Sequence, residues 1–138
     1  MRSSIVRTLL TISFAALGAT TLSAQGQTVH FTTPFDFSVG RNALPAGEYH
    51  VVPIGEFALA IRQPNGRNAV FFLTNAAAAA ISKPTATTVT FRRYGNRYFL
   101  SEMLNRGRGW EVPPSRMEKE LAKSSVTPAP VEMVASSR

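Results

Sequence analysis

Residues Thr87–Leu104 read TTVTFRRYGNRYFLSEML, two runs rich in β-branched and aromatic residues on either side of Gly95-Asn96. A two-residue loop of that composition tolerates the positive φ that a tight hairpin turn demands. The pair of strands commits this part of the chain to antiparallel β-structure. In the register set by the loop, Phe91 faces Leu100 and Arg93 faces Tyr98. Val89, Phe91, Tyr98 and Leu100 then share one face. Arg92 shares the other face with Phe99, which invites a guanidinium-over-ring contact worth about 0.5–1 kcal/mol when exposed.

The same alternation recurs upstream. Thr28–Thr32, Phe35–Val39, Gly47–Val52, Phe57–Gln63 and Ala69–Thr74 are short runs with a period near two, separated by proline, glycine and asparagine. Phe35, Phe37 and Val39 fall on one side of their run, and Pro64-Asn65-Gly66 reads as a hairpin turn. The segment NAAAAAISK (Asn75–Lys83) has neither period. It is read as an irregular connection or a narrow strand whose small side chains let a neighbour pack closely. Downstream, Ser115 stands three residues before Glu118, the spacing of a capping box. That spacing predicts a helix over about 116–123, with Met117 and Leu121 on one face. From Ser124 to Arg138 there is no periodicity, and two prolines interrupt the run, so residues 124–138 are expected to be a disordered tail. The expected fold is all-β: a small antiparallel β-sandwich or barrel with one short C-terminal helix.

The first 24 residues have a different character. Arg2 and Arg7 precede an apolar stretch from Thr8 to Gly18, and Ser23 and Ala24 are small. That order predicts a signal peptide over 1–24, cleaved after Ala24, and hence an exported protein, periplasmic or extracellular. The alternative, a retained anchor, would need about 20 mostly apolar residues, and threonines and serines thin this run. The remainder, 25–123 plus the tail, reads as a single β-rich domain with no transmembrane segment. The chain has no cysteine, so disulfide bracing, thiol catalysis and cysteine metal ligation are all excluded.

The formal charge is +7, of which Arg2 and Arg7 supply two. The cations cluster late, at Arg92, Arg93, Arg97, Arg106, Arg108 and Arg116. Aromatic residues interleave them, which makes Arg92, Arg93, Tyr94, Arg97, Tyr98, Arg108 and Trp110 the candidate ligand-binding surface. Such a mixture suits an anionic envelope component or acidic polysaccharide, and outside the cytoplasm nucleic acid is the less expected partner. The competing interpretation gives the rings to the core and the arginines to a soluble sheet edge.

Catalytic chemistry has little support. The glycine-containing stretch GRNALPAG (Gly40–Gly47) is followed by Glu48 and Tyr49, not by the lysine and hydroxyl residue of a phosphate loop, and no helix pattern begins there. It is a turn between strands. His30 and His50 lie in separate predicted strands and could share a sheet face, with Asp36, Glu48 or Glu56 as a third ligand. Their spacing matches no metal motif, and no metal or other cofactor is assigned. A carboxylate-dependent hydrolase would draw two acids from Asp36, Glu48, Glu56, Glu102 and Glu111. The leading expectation is a non-catalytic exported protein that binds or has a structural role, with polyanion binding through the basic hairpin and the small hydrolase as alternatives.

Three segments, PFDFSVGRNALPAGEYHV, FRRYGNRYFLSEM and PPSRMEKELA, together resemble a family of small exported bacterial proteins marked by PFDF-x-VG, LPAG-x-Y and RYG-x-RYFLSE motifs. The resemblance spans nearly all of Thr28–Lys123. It implies export and one compact domain, and it carries no ligand or catalytic residue. The LPAG-x-Y turn is also similar to strand connections in carbohydrate-handling and adhesin-type β-sandwich modules.

Overall fold

A computed structural model describes residues 27–66, 69–124 and 126–138 of the chain. The expected signal peptide lies outside the described residues. In chain order the elements are β1 (Val29–Thr33), β2 (Phe37–Val39), β3 (Asn42–Leu44), β4 (Gly47–Pro53), β5 (Ala58–Arg62), β6 (Ala69–Leu73), β7 (Asn75–Ala76), α1 (Ala79–Ser82), β8 (Thr87–Tyr94), β9 (Arg97–Asn105), β10 (Arg108–Glu111), α2 (Arg116–Lys123), β11 (Ala129–Val134) and β12 (Ser136–Ser137). One sheet has the order β12-β1-β4-β5-β6. The other runs β11-β8-β9-β10-β7, with β2 beside β9 and β3 beside β2. The protein is all-β and sandwich-like, and the sheets do not close into a barrel.

Alternation decides what lies between the layers. Val29, Phe31, Tyr49, Val51, Leu59 and Ile61 point inward from the first sheet. Phe37, Val39, Val89, Phe91, Leu100, Met103 and Trp110 meet them from the second. Phe31 stacks on its cross-strand partner Tyr49, and the rings of Phe37 and Phe91 meet this pair and each other edge-on or tilted. Aromatic packing of this kind stabilises beyond simple area burial. Among the described residues no helix is long and apolar enough to cross a membrane.

The glycine-containing turn is largely exposed and joins strands that contribute Val39, Leu44 and Tyr49 to this core. Gly40 sits at φ +59° and turns β2 into β3, so Asn42–Leu44 is strand as well as connection. Gly47, at φ +151°, opens β4. The Tyr49 hydroxyl then donates to the Pro45 carbonyl at 2.6 Å, tethering the turn to the strand that follows it. That hydrogen bond gives the LPAG-x-Y pattern a structural purpose.

Three features differ from the sequence expectation. The strands β2 and β9 run parallel where they meet at Ser38 and Phe99, in an otherwise antiparallel arrangement. The β8–β9 pair keeps the predicted register from Tyr94 and Arg97 to Phe91 and Leu100, then shifts at a bulge. Ser101 is the extra residue, its hydroxyl donating to the Thr90 carbonyl at 3.0 Å, and Met103 rather than Glu102 comes to face Val89. Finally, where a disordered tail is expected over 124–138, the described residues of that segment include two strands. The strand β11 pairs with β8 from Ala129–Arg93 to Val134–Thr88, and β12 pairs with β1 at Ser137–Val29 and Ser136–His30. The prolines of that segment fit this arrangement, because Pro128 precedes β11 and Pro130 lies within it on an edge strand, where proline is tolerated.

Candidate functional site

The β8–β9 turn places the basic hairpin at one end of the sandwich, with Gly95 at φ +63°. Arg93 donates from Nε to the Gly95 carbonyl at 2.6 Å, and its guanidinium lies 5.6 Å from the centre of the Tyr98 ring. Tyr98 is stacked on Phe35 at 3.7 Å, and Phe35 meets the buried Phe91 edge-on at 5.2 Å. A column of rings therefore runs from the core to an exposed guanidinium. On the opposite face of the hairpin Arg97 is exposed, with Nη1 3.3 Å from Met117 Sδ on α2.

Arg92 has a different task. It stands opposite Phe99 in the register, but its guanidinium does not lie over that ring. It donates to both carboxylate oxygens of Glu118, at 2.6 and 3.2 Å, and to the Val112 carbonyl at 2.9 Å. Glu118 is 2 % exposed and also accepts from the Ser115 backbone N–H at 3.1 Å, completing the capping box. The helix α2 is thus docked through its capping glutamate, while Met117 stays half exposed.

Tyr94 is buried against Phe99, and Trp110 is part of the core at 3 % exposure. Arg108 covers the Trp110 ring at 5.4 Å but pairs with Asn105, at the far end of β9 from Arg97. At about 3.3 Å per residue the length of that strand separates Arg108 from the hairpin tip by roughly 26 Å. The seven candidates therefore do not form one surface. Arg93, Arg97 and Tyr98 gather at the tip, Arg108 lies elsewhere, and Arg92, Tyr94 and Trp110 are committed to the fold.

Two further arginines, Arg41 and Arg116, lie beside the tip. A groove of about 300 Å³ is lined by Phe37, Ser38, Arg97, Tyr98, Phe99 and Met117, with Asp36 among its walls. Met117 also lines a neighbouring groove of about 750 Å³ that includes Arg41, Arg116 and Glu120. Of the two acids, Asp36 accepts the Ala46 N–H at 2.8 Å and Glu120 pairs with Lys123 at 3.3 Å. Arg97 borders the first groove and Arg41 and Arg116 the second, and Met117 lines both. No linear signal announces Arg41, because the β2–β3 turn meets α2 only in the folded chain.

The remaining acids divide between the two outer faces. Across the second sheet, Glu132, Thr90, Glu102 and Glu111 form one transverse row, and Lys83 pairs with Glu132 at 2.8 Å. Burial, reinforced by the Glu111 charge, raises the Glu102 pKa above the usual carboxylate value. On the first sheet His30 and His50 are direct cross-strand partners, and Glu48 lies two residues before His50 on the same face. The two rings meet edge-on at 4.2 Å, and His50 Nε2 is 3.4 Å from Glu48 Oε1. Burial, together with the neighbouring His50 and Arg138 charges, lowers the His30 pKa. Asp36 and Glu56 stand apart from this cluster: Asp36 lines the tip groove and Glu56 lies in a depression beside Arg108. Compared with protein-family models, curated proteins and solved structures, the chain matches none of them.

Proposed function

We propose that the protein is an exported, non-catalytic binding protein that holds an acidic polysaccharide chain along the depression between the hairpin tip, the β2–β3 turn and α2. The observation that carries this reading is the placement of Arg41, Arg97 and Arg116 around adjoining grooves that also present Met117 and part of Tyr98. Guanidinium groups engage carboxylates or sulfates, and a ring or thioether offers an apolar surface to a sugar face. An open depression suits a chain that enters and leaves. The arginine–aromatic hairpin and the basic, apolar, small-residue order of the first 24 residues support the same reading, as does the likeness to small exported proteins.

The test is calorimetric titration of the purified protein with an acidic polysaccharide, a neutral one and single-stranded DNA, each at low and high salt. Saturable binding of the acidic chain alone, weakened by salt, is expected. Replacing Arg41, Arg97 and Arg116 together by alanine should cost about tenfold or more, because each exposed charge contact is worth up to about 1 kcal/mol. Equal binding of DNA, or binding indifferent to the triple substitution, would overturn the proposal. Intact-mass analysis of the envelope fraction, with a mature chain beginning at Gln25, tests export.

A further inference from the structure

The outer face of the first sheet carries an arrangement independent of that groove. The β1–β4 register sets His30 directly opposite His50, and the strand period of two puts Glu48 on the same side of β4. One nitrogen from each imidazole and one carboxylate oxygen all lie within 4.8 Å of one another. A tetrahedral Zn²⁺ with bonds near 2.0–2.1 Å holds neighbouring ligand atoms about 3.3–3.4 Å apart. The His50–Glu48 contact, at 3.4 Å, already has that spacing. The His30 nitrogen, within 4.8 Å of the other two ligand atoms, would close the remaining gap by side-chain rotation on the β1–β4 ladder.

We propose that His30, Glu48 and His50 form a three-ligand site for a divalent first-row transition ion such as Zn²⁺. Two imidazoles and one carboxylate are a donor set that such ions accept and that Ca²⁺ and Mg²⁺, which want oxygen, do not. Glu48 is exposed and both histidines are half-buried, so the fourth position is open to water or a small anion. Arg62 stands opposite His50 on β5, and Arg138 acts electrostatically on His30. These cations oppose the ion's charge and favour an anionic fourth ligand. The flanking strand β12, at Ser136, completes the wall on the β1 side.

The composition makes the test clean, because the chain contains two histidines and no cysteine. Any imidazole-dependent binding must use this pair. The untagged full chain is titrated with Zn²⁺ against a chromogenic chelator, and with Co²⁺ by visible absorption. One ion per chain is expected, with a Co²⁺ spectrum of four- or five-coordinate intensity. His50→Ala and Glu48→Gln should each weaken Zn²⁺ binding by about tenfold or more, at least the loss seen when a mere outer-shell partner is removed. Circular dichroism checks that the variants are folded. Proton NMR of the wild-type imidazoles decides the matter without any variant: both histidine signals must shift together on adding one equivalent of Zn²⁺. Failure to compete with the chelator, a shift of one imidazole alone, or unchanged binding in a folded His50→Ala would overturn the proposal.

Discussion

Glu118 shows how much one side chain can carry. Its carboxylate caps α2, binds Arg92 through two oxygens and is almost sealed from water. Removing one partner of a buried pair leaves a desolvated charge, so Arg92→Ala should destabilise the protein by about 3 kcal/mol or more, measured by urea unfolding. Arg92→Met combined with Glu118→Leu should recover much of that loss, since an apolar pair of similar size has no charge to desolvate. Glu102 gives a prediction of opposite sense. Its folded pKa is raised, so between the ordinary glutamate value and the raised one the native state binds more protons than the unfolded state. Stability from this group is present at low pH and is lost as pH rises through that window. Glu102→Gln should therefore flatten the pH–stability profile just above the ordinary glutamate range and raise stability at neutral pH. An unchanged slope would refute this. The capping spacing of Ser115 and Glu118 was readable from sequence, because it is local. The second role of Glu118 was not, because Arg92 is 26 residues away and nothing local pairs them.

At the scale of elements, the alanine segment departs from the expected irregular connection or narrow strand: it forms the two-residue strand β7 and then the short helix α1, consistent with alanine's helix preference. Its small side chains do permit close packing: Ala77 and Ala80 pack with Leu104, and a Cβ on Gly109 would lie 2.8–2.9 Å from all three. The sequence could not say that the partner would be Gly109 in a strand not yet recognised. The β9–β10 hairpin was missed because Arg106, a residue type that rarely does so, adopts φ +45° ahead of Gly107 at +83°. The C-terminal strands were missed for another reason. The β11 run is mostly exposed, and only Val131 and Met133 pack partly against the core, an alternation too short to stand out beside two prolines. The pairing of these strands gives a prediction. Deleting residues 126–138 strips the outer strand from each sheet, uncovering the edges of β8 and β1. The truncated chain should melt well below the full one and associate on gel filtration. A disordered tail would be lost without either effect, so equal melting temperatures would contradict the assigned pairing.

At the scale of the molecule, the two outer faces carry different chemistry: an arginine-bordered depression beside α2, and a His–Glu–His cluster between β1 and β4. Neither is a contiguous motif. The all-β class, most strand positions, the hairpin register near Gly95-Asn96 and the capped helix are legible in the linear chain. Each of these depends on residues within a few positions of one another, where turn chemistry and a period of two act directly. Tertiary structure alone decided which arginines stay free, which acids meet and which histidines touch. Those outcomes depend on strand order, on the bulge at Ser101 and on contacts between distant segments. Side-chain type sets what a residue can do, but only the packed sheets set its neighbours.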